Sequence, residues 1–428
     1  MDTLIIGGGA AGLMAASFCK GHTVVIERLK APGRKLLATG GGRCNLTHEA
    51  NIDEIMSAFG RKARFMAPAL QSFPPSAIRA FFQAHGVQTT ADPDGCVFPV
   101  SQKAADVLSA LERAARASGA EIRCGVRAKR LILKEVAAGE GASSLFKVAA
   151  VETDAGVLEA GRVILAAGGR SYPDLGSDGS GFELARQAGL QVTPTVPALA
   201  GLTTQETWPG TLTGIVFEHG ALRLDVKGAD KAWRTGPILF THKGISGPPA
   251  LDVSGEIAAR LLQAAQATPS DGLATVPVRL SVIAGRAPAD WLSLFDVWRR
   301  EHGGRAVHNL LSGEIPRALA VTLCGLAEIP DTAVARARKA AMEQLASLCA
   351  ELPLQISGTE GWNRAMLTRG GIELNELDAR TLACKRIPNL FCAGEGVDLD
   401  GPCGGYNLTW AFASGRLAGT GTTRQPLA

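Results

Sequence analysis

The sequence predicts an α/β chain: a parallel sheet begun at the N-terminus and resumed at the C-terminus, with an antiparallel β insert and a helical subdomain between. Three observations carry this. An apolar run, a glycine cluster, a helical stretch, a second apolar run and an acid succeed one another within the first thirty residues. Prolines at 194, 197 and 209 then punctuate short alternating runs, as in antiparallel strands. Near the C-terminus, Asn389–Glu395 is again an apolar run ending in glycine and an acid. The predicted domains are 1–190 plus 354–428, 191–288 and 289–353.

Thr3–Ile6 reads as a buried parallel strand. Gly7, Gly9 and Gly12 satisfy G-x-G-x-x-G directly after it, with Ala10 and Ala11 between. Leu13–Lys20 reads as helix and His22–Glu27 as a second strand. Glu27 lies 27 − 7 = 20 positions beyond Gly7, the separation expected of a carboxylate that holds a ribose hydroxyl. The three glycines do different things. Gly7 allows a tight turn, Gly9 lets backbone approach a pyrophosphate, and Gly12 permits close helix–strand packing. The helix N-terminus offers free N–H groups to phosphate. The order of these features points to a Rossmann-like dinucleotide site.

Residues 31–47, with Pro32-Gly33, Gly40-Gly41-Gly42 and the cations Arg34, Lys35 and Arg43, cannot form an ordinary crossover helix. A simple NAD dehydrogenase has no need of such a loop after its ribose acid. An extended FAD, with its flavin far from its adenine, does. Ala104–Ser118 follows as an amphipathic helix. Ala120–Val126 reads as a strand whose backbone, at Val126, would meet the adenine. Phe146–Val151 and Gly156–Glu159 suggest a hairpin-like meander, and Arg162–Gly169 a buried strand running into Ala167 and Gly168. The turn 171–181 reads as helix capping before a helix at Phe182–Ala188.

Residues 215–217, 221–226 and 276–282 read as further strands, 239–248 as a compact polar–apolar stretch, 266–274 as a loop, and 289–350 largely as helices, including 331–349. At the far end Glu395, after Gly394, can hold a ribityl chain. Gly404-Gly405 forms another glycine turn, before a helix over Thr409–Gly419 whose N-terminus could face a flavin's pyrimidine ring.

Composition narrows the class. Of 428 residues, 46% are hydrophobic and 20% charged, which excludes a disordered or fibrous chain and suits two or three domains. Glycine, 51 residues, reaches about 12% against roughly 7% on average, in clusters that suit backbone lying against a ligand. The charge of 44 − 40 = +4 permits an anionic cofactor or a nucleic acid and demands neither. Nine scattered cysteines without a CxxC pair argue against a zinc ribbon or a thioredoxin-like motif and suit reduced thiols in a cytoplasm; no metal is expected. The N-terminus lacks the basic region of a signal peptide, and no membrane span is expected.

Four stretches, GGGAAG, GRKLLATGGGRCNLT, FTHKGISGP and AGEGVDLDGPCGGYNLTWAFASGRLAG, together resemble the YhiN/BaiN/RdsA-like flavoproteins, NAD(P)/FAD-dependent oxidoreductases, over nearly the whole chain. The resemblance implies a two-dinucleotide-binding-type FAD domain assembled from both chain ends, a β-barrel-like insert and a helical third domain. Its flavin-site positions fall on Gly7, Gly9, Gly12, Glu27, Lys35, Gly41, Gly42, Arg43, Gly168, Gly394, Glu395, Gly405 and Asn407; Ala10, Ala11, Arg34, Val126, Ala167, Gly404, Tyr406 and Leu408 join them as expected cofactor neighbours. Cys403 stands where a hydroxyl residue is expected.

No second strand–GxGxxG–helix unit is present, so NAD(P)H is expected only as a transient reductant. Flavin N5 would carry the hydride. Expected catalytic residues are Cys44, whose thiol the neighbouring Arg43 could acidify, Tyr406 and Arg43 itself; His242 and Cys403 are further candidate proton donors. Three functions stay open: reduction of a conjugated C=C, such as uracil in ribosomal RNA; oxidation of a small amine, as in aminoacetone oxidase-like relatives; and flavin binding with little turnover. The expected partner is a small molecule or ribosomal RNA, with no stable protein partner.

Overall fold

The structure, a computed structural model, describes residues 1–136, 145–267 and 274–424, the side chains of 422–424 excepted. Two compact units emerge: Met1–Val196 with Met366–Ala428, and Pro197–Ala365.

The first unit is built on five strands in the spatial order Leu390–Cys392, Arg162–Leu165, Thr3–Ile6, Thr23–Glu27 and Glu121–Cys124. All neighbours run parallel, with Thr3 opposite both Arg162 and Thr23. Thr3–Ile6 is buried at every position, as a strand covered on both faces must be. Helix Ala10–Ala16 packs against the long C-terminal helix Tyr406–Arg424, where Gly415 and Gly419 sit against the Ala11 and Ala15 carbonyls. That contact ties the two chain ends into one core. The amphipathic stretch forms the helix Ala104–Ala117. The expected meander is a three-stranded antiparallel sheet, Ala128–Val136, Leu145–Thr153 and Gly156–Glu159. The first strand lies between its successor and the later strand Arg162–Leu165, so the chain reverses its direction of growth there. Ligands bind such sheets at the carboxyl ends of the strands beside that point.

The second unit is a closed six-stranded antiparallel barrel: Leu202–Thr204, Gly244–Ser246, Arg234–Thr241, Val216–Leu224, Val276–Ser281 and Leu352–Thr359. Helices Pro288–Glu301, Arg317–Leu326 and Lys339–Glu351 share its core, with Trp291, Phe295 and Leu345 in the same cluster as Phe240 and Leu280. Two differences from the expected boundaries follow. The helices have no separate core, and the strand Leu352–Thr359 closes the barrel, so the unit boundary falls at Ala365/Met366 in place of 353/354. The stretch 331–349 is broken: a short 3-10 turn, Val334–Arg336, precedes the last helix. Of the expected loop at 266–274, residues 268–273 lie outside the described residues, and Ala267 still belongs to helix Pro248–Ala267. No helix among the described residues is long and apolar enough to cross a membrane.

Candidate active site

A cavity runs along the carboxyl ends of four parallel strands. Gly7, Gly9, Ala10, Ala11 and Glu27 line it from the N-terminal motif; Arg34 and Lys35 from the next loop; Ala167 and Gly168 from the third strand end; Gly394, Glu395, Asn407 and Leu408 from the C-terminal segment. A second, smaller space shares Gly7, Glu27, Ala167 and Gly176 with it and is lined by Val126, at the expected adenine end.

The three motif glycines separate cleanly. Gly7 has a left-handed backbone, φ 110°, and a Cβ there would strike the Ala166 carbonyl. At Gly12 a Cβ would strike the Gly7 carbonyl; this glycine lies behind the cavity and sets the helix–turn spacing. Gly9, which caps helix Ala10–Ala16, has an ordinary extended backbone and nothing within 4 Å of a Cβ. Neither packing nor conformation requires glycine there. The empty volume beside it is a cradle that a Cβ would fill, at a helix N-terminus suited to an anion.

Glu27 is held at the end of its strand. Its carboxylate accepts the Gly8 N–H at 2.9 Å and the Leu29 N–H at 2.8 Å. Lys35 reaches across the cavity to pair with Glu395 and donates to the Ser171 hydroxyl. Ser171 in turn donates to Glu395 at 2.8 Å, and the Thr368 N–H donates to the same carboxylate at 3.0 Å. Sequence reasoning missed Ser171 and Thr368. The polar turn 171–181 held a signal for the first, but capping alone explained it.

The final helix starts at Tyr406, three residues earlier than expected. Gly404 and Gly405 both have positive φ, and a Cβ at Gly405 would strike the Thr47 carbonyl. Tyr406 stacks on His48, with ring centroids 4.8 Å apart at 20°, and His48 Nδ1 donates to the Gly404 carbonyl at 3.1 Å. The Asn407 amide braces the preceding turn, accepting from the Gly401 N–H at 2.9 Å and donating to the Gly401 and Pro402 carbonyls.

Not every expected residue lines the cavity. Gly41, Gly42, Arg43, Gly404, Gly405 and Tyr406 lie outside its lining. Arg43 is exposed; its guanidinium lies 4.5 Å over the Phe98 ring and Nε donates to the Gly40 carbonyl at 3.2 Å. Cys44 is a correction. Its side chain is fully buried, and burial pushes the thiol up to about 12, opposed only by a hydrogen bond with Thr39. Burial thus works against the acidified thiolate that its neighbour in sequence suggested. His242 is exposed in the two-residue turn between barrel strands Arg234–Thr241 and Gly244–Ser246. Cys403 is half-buried.

An elongated cavity with an acid at its ribose end, an anion cradle at Gly9 and a Lys–Glu pair further along fits an extended dinucleotide such as FAD. Comparison with known proteins agrees. The family model described as HI0933-like protein Rossmann domain matches residues 1–421. The chain is 32% identical to the 3-dehydro-bile acid delta(4,6)-reductase of Clostridium scindens, over 99% of both chains. It is 28% identical to the ribosomal RNA dihydrouridine synthase of Escherichia coli, over 96% of both. A solved 3-ketosteroid delta1-dehydrogenase from Sterolibacterium denitrificans shares the fold at TM-score 0.51, with 10% identity and 99% of both chains covered. The chain belongs to the HI0933-like Rossmann family, as an oxidoreductase built on an FAD-binding Rossmann fold.

Proposed function

We propose that this protein uses FAD to reduce a carbon–carbon double bond conjugated to a carbonyl, with uracil in ribosomal RNA as substrate and NAD(P)H as transient reductant. The observation that carries the reading is the cavity at the strand ends, joined with the activities for which the relatives are named. A delta(4,6)-reductase and a dihydrouridine synthase both name reduction of a ring C=C. When bound, FAD supplies the hydride transfer.

The chain's own residues have the following roles. Gly9 and the N-terminus of helix Ala10–Ala16 receive the pyrophosphate. Glu27 holds the adenosine ribose. Lys35, Glu395 and Ser171 form the polar wall along the ribityl chain, and Gly394, Asn407 and Leu408 border the flavin. With Cys44 buried, the proton is assigned to Tyr406, which stacks on His48 outside the cofactor cavity's lining and would act on the substrate's side.

The test is anaerobic mixing of the yellow protein with NADPH and NADH, followed by oxidation of the reduced protein with uridine-containing ribosomal RNA or with a cyclic enone. Reoxidation by the RNA, with dihydrouridine formed, supports the full reading. Reoxidation by the enone alone moves the substrate to a small ring ketone. Peroxide production from a small amine, with neither acceptor consumed, overturns it in favour of an oxidase.

A further inference from the structure

Over the cavity's adenine end lies a loop that the cofactor motifs do not explain. Gly169–Gly179 closes on itself through the Gly179 N–H, which donates to the Gly169 carbonyl at 3.0 Å. The loop carries three positive-φ residues, Tyr172, Gly176 and Gly179, and its Leu175, Gly176 and Ser177 line the main cavity. Such a compact surface loop has little regular structure of its own to hold it in place.

Ser171 and the Arg170 N–H fix its near end, to Lys35, Glu395 and Thr368, and a separate set of ionic and hydrogen bonds holds its far end. Arg28, the residue after the ribose acid, donates Nε to the Gly176 carbonyl at 3.2 Å and Nη2 to the Pro173 carbonyl at 2.8 Å. Asp178 accepts from Arg127 Nη2 at 2.8 Å and lies 3.5 Å from Arg28 Nη1. Its other oxygen accepts the Ser180 N–H at 3.1 Å, in the first turn of helix Ser180–Gln187. Arg28 follows the second parallel strand, and Arg127 follows the strand Glu121–Cys124. Asp178 therefore ties the loop to two neighbouring strand ends of the sheet. Arg28, Val126 and Arg127 all line the smaller space at the adenine end. The pair is partly buried, with side-chain exposures of 24% for Asp178 and 21% for Arg28, so salt screens it only in part.

We propose that Asp178 is a positioning residue for the cofactor: it latches the 169–179 loop across the adenine end and slows release of FAD. The inference rests on the FAD reading above. Asp178 touches no reacting atom in this role. It acts by fixing the loop through Arg28 and Arg127.

The test measures FAD loss from the purified holoprotein after dilution, by the rise of free-flavin fluorescence, in wild type and Asp178→Asn. Loss of a charge-assisted hydrogen bond is expected to speed release by about tenfold to a hundredfold. Melting of the cofactor-free protein separates the latch from a general structural role: the FAD-dependent gain in Tm shrinks while the apo Tm stays close to wild type. Rising salt accelerates FAD loss more in wild type than in Asp178→Asn. Should Asp178→Asn fail to fold, Arg127→Gln removes the more exposed partner and is expected to speed release severalfold. A folded variant that releases FAD at the wild-type rate, or with the wild-type salt response, overturns the latch while leaving the FAD reading intact. A folded wild type that takes up no FAD overturns both.

Discussion

Replacing Gly9 by alanine separates what the cofactor asks of that position from what the fold asks. The φ of Gly9 is −86°, open to any residue, and no atom lies within 4 Å of an added Cβ. Alanine at a helix N-cap costs the apo protein at most about 1 kcal/mol. The same methyl occupies the cradle for the pyrophosphate and displaces it from the helix N–H groups. Losing one such charge-assisted bond, about 1.5–3 kcal/mol, raises the Kd for FAD roughly tenfold to 150-fold. Gly12→Ala gives the opposite pattern. Its Cβ meets the Gly7 carbonyl, and overpacking against backbone costs about 1–3 kcal/mol or more before any ligand is added. The assay is paired: urea or thermal unfolding of the apo variants, and FAD titration by quenching of flavin fluorescence. Gly9→Ala that binds FAD as tightly as wild type would refute the assignment of that cradle.

Other consequences concern the surrounding groups. Lys35→Met leaves Glu395 with only the Ser171 hydroxyl and the Thr368 N–H, and lowers apo stability by about 1–3 kcal/mol in urea unfolding. Cys44→Ser keeps turnover and its pH profile, since a thiol raised to about 12 is protonated throughout the working range; loss of an alkaline limb near pH 8–9 would restore Cys44 to the reaction. Burial also raises Cys324 to about 12 and moves Cys349 and Cys392 upward. These thiols stay protonated when folded and ionise first when unfolded. Stability therefore falls as pH rises from about 8.5 toward 12, measured as the urea midpoint against pH. Burial opposes ionisation of Asp178, but bonds from Ser180, Arg127 and Arg28 outweigh it and lower its pKa. The latch is therefore set at neutral pH and weakens as pH falls below the ordinary carboxylate range: FAD release from the wild-type holoprotein quickens at acid pH, an increase that Asp178→Asn lacks.

What the sequence made legible was local. Thr3–Ile6, Gly7–Gly12 and Glu27 form one continuous βαβ unit, and their pattern is set by neighbours within thirty residues. The amphipathic helix Ala104–Ala117 and the meander were readable for the same reason. The polar wall was harder, because Lys35 meets Ser171 across 136 positions and Glu395 across 360. No periodicity encodes such a contact; only the strand order brings the three ends together. Cys44 misled because its neighbour in sequence is a cation, whereas its environment in space is the apolar core. The strand Leu352–Thr359 buries every second residue from Leu352 to Ile356, yet its partner Val276–Ser281 lies far away in the chain, so sequence could not assign it to the barrel.

The most direct measurement is the flavin content of the purified protein: an absorption spectrum, then denaturation and chromatography of what is released. One FAD per folded chain, non-covalently bound, is the expected result. A well-folded, colourless protein that neither carries flavin nor takes up added FAD would contradict the convergence of both chain ends on a single dinucleotide.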